Sequence, residues 1–220
     1  MFLSCHNCHC QNFVNIKKVK HDQCQSHTCD TSKITLISSH IMTIKDLANL
    51  ISKKNILDIE ISKIIGRPAE KGHVGEYIAS QIFDIELSDS ATNKGSDGYF
   101  RTGNLSNKQV NVKFYGKREG ILDVNTTTSP PEYYLVLTGP SSPATSSKGT
   151  SRPWIIESVF LFEHEKLIEI LHKKGIQIGV ATSVSKDNWE RAELYPHNTN
   201  NSIILTEEQK VSLSLFNKNQ

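Results

Sequence analysis

No stretch of this chain approaches the roughly 18 to 20 consecutive apolar residues that a bilayer-spanning helix needs, and no basic segment followed by an apolar one opens the N-terminus. The sequence therefore reads as a soluble, cytoplasmic protein with no membrane partner. An excess of one charge is also missing. With 25 Lys and Arg against 23 Asp and Glu, the formal net charge is +2. That leaves no global basic field to drive nucleic-acid binding, so any such contact has to come from a local patch. Cysteine is lacking after residue 29: Cys5, Cys8, Cys10, Cys24 and Cys29 are the full set. An odd count without an export signal argues against a disulfide framework. The interspersed His6, His9, His21 and His27 raise Zn2+ as the alternative, but Cys8-x-Cys10 crowds the first pair and Cys24-x4-Cys29 is wider than a usual second pair. Zinc is accordingly not expected. Residues 1–41 show neither helical nor strand periodicity and read as a disordered Cys/His-rich leader, upstream of a second start codon's Met42.

The 220 residues leave room for one well-buried core with a decoration. Thr43 and Asp46 form a helix-capping pair, and Ile44, Leu47, Leu50 and Ile51 then share one face, predicting a helix to about residue 54. Residues 56–65 are isoleucine-rich at mixed spacing, so helix and strand compete, with helix ahead; residues 42–65 together form an N-terminal helical segment. Pro68 suits the first turn of a helix running to about residue 83. On that helix Gly72, Gly75 and Ala79 make a small-residue face, with Glu76 on the same side. A glycine costs about 1 kcal/mol in a helix interior, so two of them point to a close approach.

The pattern then changes to period two. Residues 96–101 and Gln109–Tyr115 read as a hairpin around Gly103 and Asn104, with Val110, Val112 and Phe114 on one face of the second strand and Gln109, Asn111, Lys113 and Tyr115 on the other. Residues 133–137 are apolar nearly throughout, as a strand buried on both faces should be. A Ser/Pro/Gly-rich loop follows over 138–153. Next come a strand at 154–162, a helix at 163–174 stopped by Gly175, and a short strand at 177–182. Residues 198–202 break the pattern, and 206–216 form a terminal tail or helix. The order implies an α/β (α+β) core at 66–197 followed by a C-terminal segment at 198–220.

Phosphodiester hydrolysis needs a hard cation, oxygen ligands to hold it and a positioned water. Asp97 on the first hairpin strand and Lys113 on the second can face each other, Asn111 lies two residues before Lys113, and Glu76 can arrive from the helix. These residues, in Glu70-Lys71-Gly72-His73-Val74-Gly75-Glu76, Gly95-Ser96-Asp97-Gly98 and Val110-Asn111-Val112-Lys113, resemble the PD-(D/E)xK nuclease superfamily, in particular small bacterial members with a G-x-x-G-E helix and a (Q/N)-x-K strand. The resemblance covers roughly residues 66–196. It implies a restriction-endonuclease-like core with a central mixed β-sheet flanked by helices. It also implies a nuclease using Mg2+, with Mn2+ as an alternative, on DNA.

In that frame Glu76, Asp97, Asn111 and the Val112 carbonyl would hold the metal, and Lys113 would orient the attacking water. Arg67, Lys71, Lys108, Lys117 and Arg118 would contact backbone phosphates. Asn111 stands where most of the superfamily has an acid, so one negative charge is missing. The competing expectation is a catalytically impaired relative that binds nucleic acid or protein. Cutting both strands of a duplex would call for a homodimer.

Overall fold

The computed structural model describes residues 43–88, 95–141 and 152–217. The Cys/His-rich leader and most of the Ser/Pro-rich loop after residue 141 lie outside the described residues, and the expectations for them stay with the sequence. The chain divides into two compact units, Met1–Ile56 and Leu57–Gln220.

Of the first unit, residues 43–56 are described, and they hold the start of α1 (Ile44–Ile65). Its cap is reciprocal: Asp46 N donates to Thr43 Oγ1 at 3.3 Å, and Thr43 N donates to Asp46 Oδ2 at 2.8 Å. Two otherwise unpaired helix-end donors are thereby satisfied. The helix runs unbroken for 22 residues, so the isoleucine-rich stretch that the spacing leaves ambiguous is helical. It stops at Gly66, whose φ of +69° is a left-handed conformation that a side chain would resist. No residue of α1 is buried.

The second unit holds the rest. Helix α2 (Lys71–Phe83) begins three residues later than Pro68 suggests. The Pro68 carbonyl is occupied by a tight turn, accepting from Glu70 N at 2.7 Å and lying 3.0 Å from His73 Nδ1, so the chain enters the helix only after Glu70. In chain order the strands are β1 (Ile85–Leu87), β2 (Gly98–Phe100), β3 (Gln109–Tyr115), β4 (Ile121–Leu122), β5 (Tyr133–Thr138), β6 (Ser158–Glu163), β7 (Thr182–Ser183) and β8 (Glu193–Tyr195). Helices α3 (His164–Lys173), α4 (Lys186–Ala192) and α5 (Glu207–Ser214) complete the unit.

Six strands form one mixed sheet in the order β1-β2-β3-β5-β6-β8, in which β3 and β5 are parallel and every other neighbouring pair is antiparallel. Residues Tyr134 to Thr138 of β5 are wholly buried, as their unbroken apolar run demands of an interior strand. Alternation along β3 divides the molecule. Val110, Val112 and Phe114 join Ile78, Ala79 and Ile82 of α2 in one core. Tyr115, with Tyr134 and Phe160, packs with Leu167 of α3 and Trp189 of α4 in the other. The chain is thus a mixed α/β fold with a central mixed sheet flanked by helices.

Several elements depart from the sequence expectation. Strands β1 and β8 are three residues each, too short for an alternating pattern to register. The strand expected from residue 154 starts at Ser158, because Ile156 N donates instead to Phe216 O of the C-terminal segment. The strand expected at 177–182 reduces to β7, which pairs with β4 in a separate two-stranded sheet. Helix α5, opened by a Thr206–Gln209 capping box, packs into the first core through the fully buried Leu213, and Gln209 Nε2 donates to Ile82 O at 2.7 Å. Among the described residues, no helix is long and apolar enough to cross a membrane.

Candidate active site

Glycine explains how α2 reaches the sheet. A Cβ built on Gly75 would lie 2.6 Å from the Phe114 Cβ, a separation real side chains do not tolerate. The bare helix face therefore rests directly on β3, and the next residue, Glu76, is held close to the strand. Gly98 serves the neighbouring strand in the same way: the Glu86 carbonyl of β1 fills the space a side chain would need there.

Asp97 lies just before β2, and there the ladder opens. Pairing between β2 and β3 covers only Gly98 with Val110 and Tyr99 with Gln109. One step further, Asp97 N still donates to Val110 O at 2.9 Å, but Val112 N donates to the Asp97 side chain, 2.7 Å from Oδ2, where a backbone carbonyl would continue the ladder. A residue's N–H and C=O point to the same side of a strand, so the Val112 carbonyl faces the Asp97 side as well. Asn111 Nδ2 donates to Gly95 O at 3.3 Å, and its Oδ1 is buried without a partner in a residue only 8% exposed. Such an acceptor can take a hydrogen bond from water or coordinate an ion; the described residues hold four other buried polar side-chain atoms without a partner, in His164, Asn188, Trp189 and Asn198.

Charge converges on Asp97 from both sides of the sheet. Burial pushes its carboxyl up to about 6, from an ordinary value of 3.8; the Val112 N–H opposes that rise, the Glu76 carboxylate adds to it, and Lys113 and Arg67 counter it. Glu76 stands on the α2 side, and its Oε2 pairs with Arg67 Nη1 at 2.5 Å. Lys113 alternates with Val112 and Phe114 and so projects to the opposite face, where its charge still acts on Asp97. Among the described residues its ammonium has no hydrogen bond or ion pair.

The basic residues expected to rim the site separate into groups. Arg67 is the Glu76 counter-ion. The Lys71 ammonium is pushed below its usual value by partial burial and by the neighbouring Arg152. Lys108 lies five residues before Lys113 along β3, about 17 Å away at strand rise, and is paired with Glu132 at 2.6 Å. Arg118 covers the Phe160 ring at 5.2 Å, on the face built by α3 and α4. Lys117 is half-buried just past β3. Arg152 escaped the sequence reading because it borders a Ser/Pro-rich stretch without periodicity; it is placed here by an ion pair with Glu119 at 3.1 Å.

No protein-family model matches this chain, and no curated protein matches it. The site has to be judged on its own donors. Among the described residues, no three His, Cys, Asp or Glu side chains assemble as metal ligands. The candidate oxygen donors are the Asp97 and Glu76 carboxylates, which interact electrostatically, the buried Asn111 Oδ1 and the Val112 carbonyl; Glu76 lies on the α2 face of the sheet, and Asn111 alternates to the other. That all-oxygen set suits a hard divalent cation, whose two positive charges would match the two carboxylates and whose coordination would complete Asn111 Oδ1. The zinc question raised by the leader concerns residues outside those described.

Proposed function

We propose that this chain is a metal-dependent nuclease that hydrolyses phosphodiester bonds in DNA, built on a restriction-endonuclease-like core and serving restriction, repair or defence. The observation that carries the reading is the buried Asp97 carboxylate accepting from Val112 N where β2 and β3 part, in electrostatic reach of both Glu76 and Lys113, with Asn111 Oδ1 of the same strand buried without a partner. The order helix, three antiparallel strands and a fourth parallel to the third, with the aspartate before the second and the lysine on the third, supports the superfamily resemblance.

Glu76, Asp97, Asn111 Oδ1 and the Val112 carbonyl would hold Mg2+ or Mn2+. Such an ion, when bound, draws negative charge from the phosphate and makes a water acidic enough to attack at neutral pH. The protein's own part follows from its charges. Lys113 Nζ, in electrostatic reach of Asp97, hydrogen-bonds the attacking water or a non-bridging phosphate oxygen and stabilises charge developing there. Val112 N–H fixes the Asp97 carboxylate against rotation. Arg67, Lys71 and Lys117 supply a local positive rim for the DNA backbone, which the near-neutral chain otherwise lacks. Cleavage of both strands calls for two copies related by a twofold axis.

Incubating the purified chain with plasmid DNA and MgCl2 or MnCl2 is expected to give cleavage that falls about 10²- to 10³-fold in Lys113→Ala. The amide at Asn111 favours a second reading, a nucleic-acid- or protein-binding module with weakened metal chemistry. DNA binding without cleavage in either metal would establish that reading and end the first. Asn111→Asp separates the two further. A third carboxylate beside Asp97 is expected to lower stability in EDTA through like-charge repulsion and burial, to be rescued by Mn2+, and to retain or raise cleavage. A chain whose stability ignores Mn2+ in that variant would remove Asn111 from the ligand set.

A further inference from the structure

We propose that Arg67 is the internal counter-ion of this site: it holds Glu76 while no divalent ion is bound and surrenders that carboxylate when one binds, freeing its guanidinium for a substrate phosphate. The inference rests on the nuclease reading and adds to it a coupling between metal and DNA. Three observations carry it. Arg67 Nη1 donates to Glu76 Oε2, an oxygen of one of the two carboxylates in the proposed ligand set. The partners are unequally anchored. The Glu76 side chain is 16% exposed on a helix pressed against β3, whereas that of Arg67 is 45% exposed on the irregular segment between Gly66 and α2, so Arg67 is the one able to leave. Finally, the Arg67–Glu76 pair leaves one acceptor of the proposed ligand set unmet: Asn111 Oδ1 stays buried without a hydrogen-bond partner.

A guanidinium and a divalent ion compete for Glu76, since each answers the same negative charge. Once displaced, Arg67 carries a planar fork of donors suited to two phosphate oxygens. Metal binding then favours DNA binding, and by linkage DNA must tighten the metal by the same factor.

The test uses Mn2+ binding to the full chain, followed by electron paramagnetic resonance at pH 8, with Lys113→Ala present throughout so that a short DNA duplex is not consumed. Without DNA, adding Arg67→Ala is expected to tighten Mn2+ binding about 2- to 5-fold, the range a partly exposed ion pair supplies, while Arg67→Lys stays near the parent. Adding the duplex is expected to tighten Mn2+ in both proteins, because a phosphate oxygen reaches the metal, but to do so less in Arg67→Ala than with Arg67 present. Equal or weaker Mn2+ binding in Arg67→Ala overturns the counter-ion role, and equal DNA enhancement in both overturns the coupling; either result leaves the nuclease reading standing. Failure of every variant to bind Mn2+ removes the metal site and this inference together.

Discussion

Asp97→Asn is expected to make the protein harder to unfold while abolishing cleavage. The Asp97 carboxyl is buried, and its folded value of about 6 lies above the ordinary 3.8, so the folded state holds its proton more tightly than the unfolded state does. The stability this group contributes is therefore fully present below about pH 4 and is lost as the pH rises through 6. At pH 8 the wild-type fold carries a buried charge at a cost on the order of 1–3 kcal/mol, given about 1.4 kcal/mol for each tenfold change in proton affinity and the partial exposure of the group. Asparagine keeps an oxygen to accept from Val112 N–H and removes that charge. Urea unfolding in EDTA is expected to show Asp97→Asn more stable than wild type at pH 8, with the gap closing toward pH 4. On the proposed nuclease reading, cleavage should drop by about 10³-fold or more, as several kcal/mol of transition-state stabilisation would disappear with a metal ligand. A variant no more stable than wild type anywhere between pH 5 and 8 would mean that Asp97 is not strained by burial. A variant that still cuts DNA would mean that it is not a ligand.

The second large effect belongs to a residue with no side chain. Leucine at Gly75 has to displace α2, because the atom its Cβ meets is the Phe114 Cβ, fixed to the strand and unable to swing aside. Overpacking of that kind costs roughly 1–3 kcal/mol, and a shift of about 1 Å at Glu76 costs about 100-fold in rate. Gly72→Ala is the matched control. The nearest atom to its new Cβ is Glu76 Oε1 at 4.0 Å, so it should gain roughly 0.5–1 kcal/mol from helix propensity and keep its activity. Thermal unfolding of the two variants should move in opposite directions, and the initial cleavage rate should fall only in the Gly75 variant. Equal behaviour would show that helix propensity, and not the approach to β3, governs this face.

How legible each element was follows from how local its cause is. The Thr43–Asp46 cap, the alternating Gln109–Tyr115 strand, the doubly buried β5 and the Gly175 stop are written within a few neighbouring residues, so reading the chain suffices for them. The small-residue face of α2 was visible too, but not its meaning, because a glycine spacing does not name Phe114 as the surface it approaches. Three-residue strands such as β1 and β8 carry no periodic signal; pairing partners far along the chain make them strands.

The sequence by itself determined which chemical groups are available: the carboxylates of Glu76 and Asp97, the amide of Asn111 and a lysine two residues after it. Only the tertiary structure decided their states. It opened the β2–β3 ladder at Asp97, buried Asn111 Oδ1 without a partner, set Glu76 and Lys113 on opposite faces and gave Arg67 to Glu76 while sending Lys108 and Arg118 elsewhere. The reason is physical. Identity and local propensity are properties of short segments, whereas burial, ion pairing and the acidity of a carboxyl depend on atoms that folding brings together from distant parts of the chain.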